Sequence, residues 1–394
     1  MKKINKSCVL NIFENDDDKD EIFNKKSTDF FKNLKTQQKT RKEILKLNVL
    51  EKVQKKRDAL MKILGECSYE TFKNFLLQAH TNTEMIRMKH LNQDDVNNPS
   101  EKDHDWLRAR LLKCCFGKRV GGSSCGAVIG LNKYSSPKAI CTEFLWPSFQ
   151  GNAACVYGSK NEDLCDDLFL KFNIQRVLNS EIQVINKEQY LLIDVDIKHY
   201  GLISHPVTPW IGYSPDGVLI ETLKNLNTGN ILKKQVLIEY KCPFKHRNLK
   251  ASSINVTLDD FYRQNAIPFE EHNLPIPPYY YSQVQLGIDQ CLNNWENEAY
   301  FVVWIPSFYY SDNDVCNLNF KIQKNTSNNS IFASNCQGTL QITHVKRNKE
   351  FIQHMKSKIK DWYMDKYLPA LYLQYYNKLE YNEIQETKSI TFNF

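Results

Sequence analysis

The sequence predicts an α/β fold, in which a central mixed β-sheet is flanked by helices, and three observations indicate it. Two segments rich in Val, Ile and Leu, 218–222 and 235–241, have the composition of paired strands. The continuous apolar run 299–306 (AYFVVWIP) is typical of a fully buried strand. Segments 157–178 and 279–291 have the composition and spacing of helices and alternate with these strands.

The first two strands are predicted to form a hairpin whose register follows from simple arithmetic. The segment 225–230 (NLNTGN) has a strong turn composition. If Asp216 faces Glu239, the hairpin must fold midway between them, between Asn227 and Thr228. That position is the centre of the predicted turn, so we expect these two carboxylates to lie opposite each other.

Opposed residues of an antiparallel pair point to the same face, with Cβ atoms roughly 5 Å apart. Lys241 shares the face of Glu239 because side chains alternate along a strand. Two carboxylates and one lysine are therefore predicted to converge. Because carboxylates repel each other unless a cation lies between them, Mg²⁺ is the expected occupant.

Each half of this pattern also has an ordinary structural interpretation. A second Glu-x-Lys, at 386–388, lies in a polar tail where no chemistry is expected. The Asp of a Pro-Asp-Gly sequence is usually a turn residue. Only the pairing of both motifs on one hairpin favours a catalytic site.

The remaining elements are predicted from composition and spacing. They are helices over 41–64, 69–79, 106–112 and 351–363, one or two strands within 183–199, and a short edge strand over 340–345. The polar segment 92–104 is the best candidate for a linker. We therefore expect a helical, basic N-terminal extension over 1–100 and a second domain over 101–394.

Composition excludes several classes of protein. No apolar run approaches the roughly 20 residues of a membrane span, and the acidic N-terminus does not resemble a signal peptide. The twelve cysteines form no Cys-x-x-Cys pair, which disfavours a zinc site. Of the net charge of +7, the segment 32–62 alone contributes +8, from 11 basic and 3 acidic residues. Such a segment suits either a phosphate backbone or a solvated helix face.

The segment 118–131 (KRVGGSSCGAVIGL) predicts a glycine-rich loop that enters a helix capped by serine. Free N–H groups there would form an anion site, with Arg119 or Lys118 alongside. The same segment matches Gly-x-Ser-x-Gly, the nucleophile elbow of serine hydrolases, with Ser124 as the nucleophile. The preceding charged, glycine-broken residues do not resemble the strand that this motif requires.

Glu162 lies in the early turns of the predicted helix 157–178, which follows a Gly-Ser start. It shares a helix face with Cys165 and Phe169, an unusual place for a carboxylate. Either it turns inward towards the metal site, or it only stabilises the helix N-terminus through the dipole.

Seven ordered motifs resemble the lambda-exonuclease-like, YqaJ-type viral recombinase branch of the PD-(D/E)XK nucleases. The resemblance looks closest to the alkaline nucleases of large insect DNA viruses and covers roughly residues 106–373. The motifs are GGSSCGAVIGLNKYSSP, YGSKNED, YSPDG, IEYKCPF, YYYSQVQLG, YFVVWIP and DWYMDKYLPAL.

The resemblance implies a restriction-endonuclease-like core and an Mg²⁺-dependent 5′→3′ exonuclease that acts on duplex DNA ends. It implies two metal ions, for which Mn²⁺ can substitute. The implied metal ligands are Glu162, Asp216, Glu239 and the carbonyl of Tyr240. Lys241 would orient the attacking water and offset developing charge, and Gln283 would help to position the water or the lysine.

The resemblance also implies a 5′-phosphate site, at which Ser123 and Ser214 hold the phosphate. Two departures from the family pattern affect this site. The family's arginine corresponds either to Arg110, by its spacing from Trp106, or to Arg119, by its proximity to Ser123. The lysine that often follows the glycine of the YG motif is replaced by Ser159, with Lys160 one position later.

The implied partners are double-stranded DNA ends and a single-strand DNA-binding or annealing protein, in the nucleus of an infected or host cell, or in the cytoplasm for a virus that is not nuclear. No membrane or secretion is expected, and homo-oligomerisation is left open. Three alternatives remain at this point: an endonuclease of the same fold, a non-cleaving DNA-binding scaffold, and a serine hydrolase.

Overall fold

A computed structural model describes residues 43–79 (without 45, 59 and 63), 118–149, 151–203, 207–244, 276–290, 297–306, 320–325 and 330–376. The chain divides into two compact units, 1–55 and 56–394. In the first unit, residues 46–55 are helical. The predicted linker 92–104 and the predicted helix 106–112 lie outside the described residues, and the domain division near residue 100 stays a prediction.

The second unit is built on an eight-stranded mixed sheet in the order β1-β2-β3-β4-β5-β8-β7-β6. Its strands are β1 Ile182–Ile185, β2 Glu188–Lys198, β3 Gly217–Asn225, β4 Ile231–Lys241, β5 Glu298–Pro306, β6 Lys321–Asn325, β7 Ser330–Asn335 and β8 Gly338–Lys346. All neighbouring strands are antiparallel except β4 and β5, which are parallel. The predicted mixed sheet is confirmed.

Helices cover both faces of this sheet. They are α1 over 69–79, α2 Gly122–Val128, α3 Pro137–Leu145, α4 Ala153–Leu178, α5 Pro278–Gln290, α6 Lys349–Trp362 and α7 Leu368–Tyr375, with a π-helical turn, Tyr363–Tyr367, joining α6 to α7. Among the described residues, no helix is both long and apolar enough to cross a membrane.

The alternation of β4 side chains assigns these helices to opposite faces. Ile238 packs with Phe169 of α4 in one apolar cluster. Its neighbour Leu237 lies beneath α5, where a Cβ on Gly287 would come within 2.7 Å of it. Even-numbered positions of β4 therefore face α4, and odd-numbered positions, including Glu239 and Lys241, face α5.

Two expectations about the chain's elements are wrong. The strand over 340–345 is not an edge strand, because β8 pairs with β5 on one side and with β7 on the other. The edge strands are β1 and β6, and neither β6 nor β7 is predicted from the sequence. The helix over 41–64 is confirmed where described, with Leu60 buried and Ile44 and Leu47 53% and 66% exposed.

The helix predicted over 351–363 is confirmed as α6, and its apolar residues Phe351, Met355, Ile359 and Trp362 are all buried. In the same unit, α1 packs against α7 through aromatic rings. The centroids of Phe72 and Tyr375 lie 5.2 Å apart.

A set of half-buried polar side chains links β4, β5 and β8 near the start of β5. The Glu298 carboxylate pairs with Lys234 Nζ on one oxygen and His344 Nε2 on the other. Burial raises the pKa of Glu298, but these two partners lower it by more, to about 2. The charged form of Glu298 is therefore favoured by folding.

We predict that Glu298→Gln lowers the free energy of unfolding at neutral pH by roughly 2 to 4 kcal/mol, because it leaves Lys234 without its closest carboxylate. The folded pKa of about 2 lies below the ordinary value of 4.5. The contribution of the charged Glu298 to the free energy of unfolding is thus fully present above pH 4.5 and is lost as the pH falls towards the folded pKa. Urea unfolding of both proteins at neutral pH and at about pH 3 should show the difference shrinking. The exposed Glu350→Gln serves as control, and a difference that is independent of pH would contradict the assignment.

A candidate acidic site at the end of the central hairpin

The β3–β4 register brings Asp216 and Glu239 together as predicted. Gly217 at the start of β3 pairs with Ile238 on β4. Asp216, directly before β3, is therefore opposite Glu239, the residue that follows Ile238. The Tyr240 N–H donates to Asp216 Oδ2 at 2.8 Å, which fixes this carboxylate at the strand end. The turn is held by Asn225 Oδ1, which accepts the N–H groups of Asn227 and Thr228 at 2.9 Å.

Glu239 is completely buried and its carboxylate is held by three donors. Lys241 Nζ and Gln283 Nε2 both donate to Oε1. The Tyr213 hydroxyl donates to Oε2. The structure thus places Lys241 and Gln283 against the same carboxylate, one from the strand and one from α5.

Lys241 is a half-buried cation in this cluster. Its Nζ also donates to the Tyr240 carbonyl at 2.9 Å and lies 5.2 Å from the Tyr280 ring centroid. Burial lowers the pKa of Lys241, but the carboxylates of Glu239 and Asp216 raise it by more, so the net shift is upward. The lysine is therefore protonated at neutral and mildly alkaline pH.

The negative charge of the site is not fully balanced by this lysine. Burial raises the pKa of Asp216 well above its usual range, and the nearby Glu239 raises it further. Lys241 and the Tyr240 N–H lower it, while Glu162 adds to the upward shift. Three carboxylates thus act on one another at this end of the sheet.

Glu162 reaches the site from α4, whose start differs from the prediction. The helix begins at Ala153 and is capped by the Asn152 side chain rather than by the Gly-Ser sequence. Glu162 therefore lies well beyond the first turn, where the helix dipole has little effect on a carboxylate. Its position is better explained by its proximity to Asp216.

Sequence reasoning missed two residues that brace Asp216 from the α4 side. Asp166 Oδ1 accepts from the Tyr240 hydroxyl at 2.7 Å, and its Oδ2 lies 3.3 Å from His199 Nε2. His199 Nδ1 lies 2.9 Å from the Asp216 carbonyl oxygen. With oxygens facing both ring nitrogens, chiefly the Asp166 carboxylate, the pKa of His199 is raised. The four-residue spacing from Glu162 to Asp166 could have revealed one of them.

Tyr213 is a third missed residue, and two glycines make room for its ring. A Cβ on Gly287 would come within 2.5 Å of the ring, and one on Gly122 within 2.9 Å. Gly122 belongs to the segment 118–131, which the sequence predicts to be an anion-binding loop. At least this glycine is needed for another reason, because its lack of a side chain leaves room for the Tyr213 ring.

The residues expected at a phosphate site differ in their exposure to solvent. Ser123 is exposed at the start of α2, Ser214 is half-buried, and Lys160 is exposed on α4. Arg119 is buried, with an exposed fraction of 7%, next to Gly212 and Tyr363. Arg110 lies outside the described residues, so the choice between the two arginines stays open.

Ser124 does not have the setting of a nucleophile. It is buried, its Oγ accepts the Gly121 N–H at 3.0 Å, and it donates to the Gly121 carbonyl at 3.1 Å. Val120, just before this segment, forms only an isolated bridge with Ile211. The helix is capped by Gly121, not by a serine side chain as expected, and Ser124 reaches back to that cap from the third helical position.

The chemistry of the acidic site fits a hard divalent cation. Carboxylate and carbonyl oxygens are the ligands that Mg²⁺ prefers. A divalent ion would offset both the burial and the repulsion from Glu239 that raise the pKa of Asp216. In the described part of the chain, no three His, Cys, Asp or Glu side chains are already arranged as a metal cluster. Glu239 would have to exchange some of its present donors for an ion.

Comparison with known families identifies the region that carries this site. Residues 105–288 match the family described as YqaJ-like viral recombinase domain. The resemblance inferred from the motifs is confirmed at this level, and every candidate site residue lies within the matched range. The closer likeness to insect-virus nucleases stays a prediction.

Two solved structures show a distant likeness to this chain. One is described as the Shutoff and Exonuclease Protein from Kaposi's sarcoma-associated herpesvirus, with 10% identity, a TM-score of 0.34, and coverage of 73% of this chain and 74% of that one. The other is described as a KSHV SOX RNA complex, with 11% identity, a TM-score of 0.32, and coverage of 69% and 72%. No curated protein matches the sequence.

We predict that Tyr213→Phe weakens Mn²⁺ binding by roughly tenfold, because the hydroxyl that orients Glu239 is lost. Mn²⁺ titration followed by electron paramagnetic resonance measures this without any turnover. Tyr134→Phe, at an exposed tyrosine, is the matched control. Equal Mn²⁺ affinity of both variants and the wild type would show that Tyr213 does not support a metal ligand.

Proposed function

We propose that the protein is a metal-dependent deoxyribonuclease of the PD-(D/E)XK type that digests double-stranded DNA from its ends in the 5′→3′ direction. The observation that carries this proposal is the opposed pair Asp216 and Glu239 with Lys241 beside it, at one end of the central hairpin. The recombinase-domain match supports a nuclease that acts on DNA.

Asp216, Glu239, the Tyr240 carbonyl and Glu162 would hold Mg²⁺, as one or two ions, with Mn²⁺ as a substitute. When bound, the metal would activate water and neutralise charge on the phosphoryl group. No side-chain nucleophile is required for phosphoryl transfer of this kind. This agrees with a site made of carboxylates, a lysine and a glutamine.

Lys241 would act as a fixed cation rather than as a base. Its pKa is raised by the neighbouring carboxylates, so it keeps its proton at mildly alkaline pH. A protonated Nζ can donate a hydrogen bond to the attacking water and offset the charge that develops on the phosphate. Gln283, which contacts the same Glu239 oxygen, would position the water or the lysine.

A preference for DNA ends requires a separate phosphate contact. We propose that Ser123 and Ser214, with Lys160 and either Arg110 or Arg119, hold the terminal 5′-phosphate. The location of Ser123 supports this, because its neighbour Gly122 lies against the Gln283 side chain. The resulting 3′ overhangs would pass to a single-strand annealing protein, and we place the activity in the nucleus during viral-type recombination and genome processing.

The test compares a 5′-phosphorylated linear duplex with the same DNA as a covalently closed circle, at mildly alkaline pH with Mg²⁺. We expect wild type to release mononucleotides from the linear duplex alone. Glu239→Ala should lower the rate by at least about a hundredfold, because a principal metal ligand is lost. EDTA should have the same effect, and Glu350→Ala, at an exposed site on α6, should be fully active.

Cleavage of the circle would indicate the endonuclease alternative instead. DNA binding by wild type without any cleavage would contradict the enzyme and favour a binding scaffold. Ser124→Ala should retain activity if the hydroxyl serves only to cap α2.

A further inference from the structure

Two adjoining clefts lie where β8 passes into α6, away from the acidic site. One, of about 300 Å³, is lined by Asn297, Glu298, Lys346, Arg347 and Lys349. The other, of about 420 Å³, is lined by Asp289, Arg347, Lys349, Ile352, Gln353 and Lys356. They share Arg347 and Lys349, and together we call them the basic cleft.

The basic cleft carries more positive charge than its own carboxylates can balance. Asp289 forms salt bridges with two cations, since its oxygens lie 2.9 Å from Arg347 Nη2 and 2.7 Å from Lys356 Nζ. Glu298, the other carboxylate, is already paired with Lys234. Lys346 and Lys349 are exposed at the rim and add two further positive charges.

The backbone that presents these cations is held in place by α5. The buried Gln285 donates from Nε2 to the Lys346 carbonyl at 2.8 Å and accepts the Asn348 N–H on Oε1 at 2.9 Å. The Arg347 N–H donates to the Asn297 carbonyl at 2.8 Å. The cluster therefore sits on a fixed segment rather than on a free surface loop.

We propose that the basic cleft binds the phosphate backbone of the duplex DNA substrate outside the acidic site. Among the described residues, no carboxylate forms a salt bridge with Lys346 or Lys349. A row of phosphates supplies anions for these two lysines, and such contacts need no base recognition. Asp289 follows Gln283 on α5 by six residues, or about 9 Å of helix axis. This offset along the axis of α5 corresponds to two or three nucleotide steps along a duplex strand, at roughly 3.4 Å each. The identity of the ligand rests on the proposed function.

The test measures DNA binding without cleavage. Fluorescence anisotropy in EDTA would follow a labelled duplex as a function of salt, for wild type and for the double variant Lys346→Gln/Lys349→Gln. We expect roughly tenfold weaker binding and a decrease of about two in the slope of log K against log salt, since two phosphate contacts are lost. Both side chains are exposed, so melting temperatures should match the wild type.

The control is Lys358→Gln/Lys366→Gln, which removes the same charge from exposed positions outside the cleft. Its salt slope should stay close to that of the wild type. Equal slopes for both double variants would overturn the proposal by showing a response to net charge alone. An unchanged slope in the Lys346/Lys349 variant would overturn it too, and would direct attention to another anionic ligand, such as an acidic protein segment.

The anisotropy test is independent of turnover. A changed slope in a protein that cleaves nothing would leave the basic cleft in place and remove the nuclease proposal. DNA cleavage by the wild type, together with an unchanged salt slope in the Lys346/Lys349 variant, would support the nuclease proposal and remove the basic cleft as a DNA-binding site.

Discussion

The repulsion between two carboxylates that the hairpin register forces together dominates this part of the molecule. Asp216 and Glu239 are opposed across β3 and β4, and Glu239 has no access to solvent. Burying a charge is costly unless it is paired and hydrogen-bonded. Lys241, Gln283 and Tyr213 surround Glu239, and the Tyr240 N–H meets Asp216. These groups do not remove the whole cost, because burial, and then the nearby Glu239, still raise the pKa of Asp216.

Successive side chains of β4 point to opposite faces of the sheet, so residues on both faces contact the acidic site. Glu239 and Lys241 point to the α5 side, where Gln283 meets them. Tyr240 points to the α4 side, where its hydroxyl binds Asp166, while its backbone N–H binds Asp216. A displacement of α4 or α5 would therefore be transmitted to the carboxylates through one strand. Such support is what a metal site needs to keep its ligands oriented.

The local sequence pattern was enough to predict that Asp216, Glu239 and Lys241 lie together, but not which residues surround them. The turn composition at 225–230 fixed the register, and strand alternation then placed Lys241, because both rules act within one hairpin. Tyr213, Asp166 and His199 were missed because their partners are distant in sequence and no local rule brings them together. β6 and β7 were missed because their polar residues hide the alternation that is typical of a strand. The α4 start was misplaced because the Asn152 cap lies ahead of the Gly-Ser pair.

The most direct test of the account locates the metal itself. Crystals of the wild-type protein soaked in Mn²⁺ would be used for anomalous diffraction. The account predicts one or two anomalous peaks bounded by the carboxylates of Asp216 and Glu239 and the Tyr240 carbonyl, with Lys241 Nζ no longer bound to both Glu239 and that carbonyl. A well-ordered site without any peak, in which Lys241 and Gln283 still hold Glu239, would show that the carboxylates form a structural ion pair and would contradict the account.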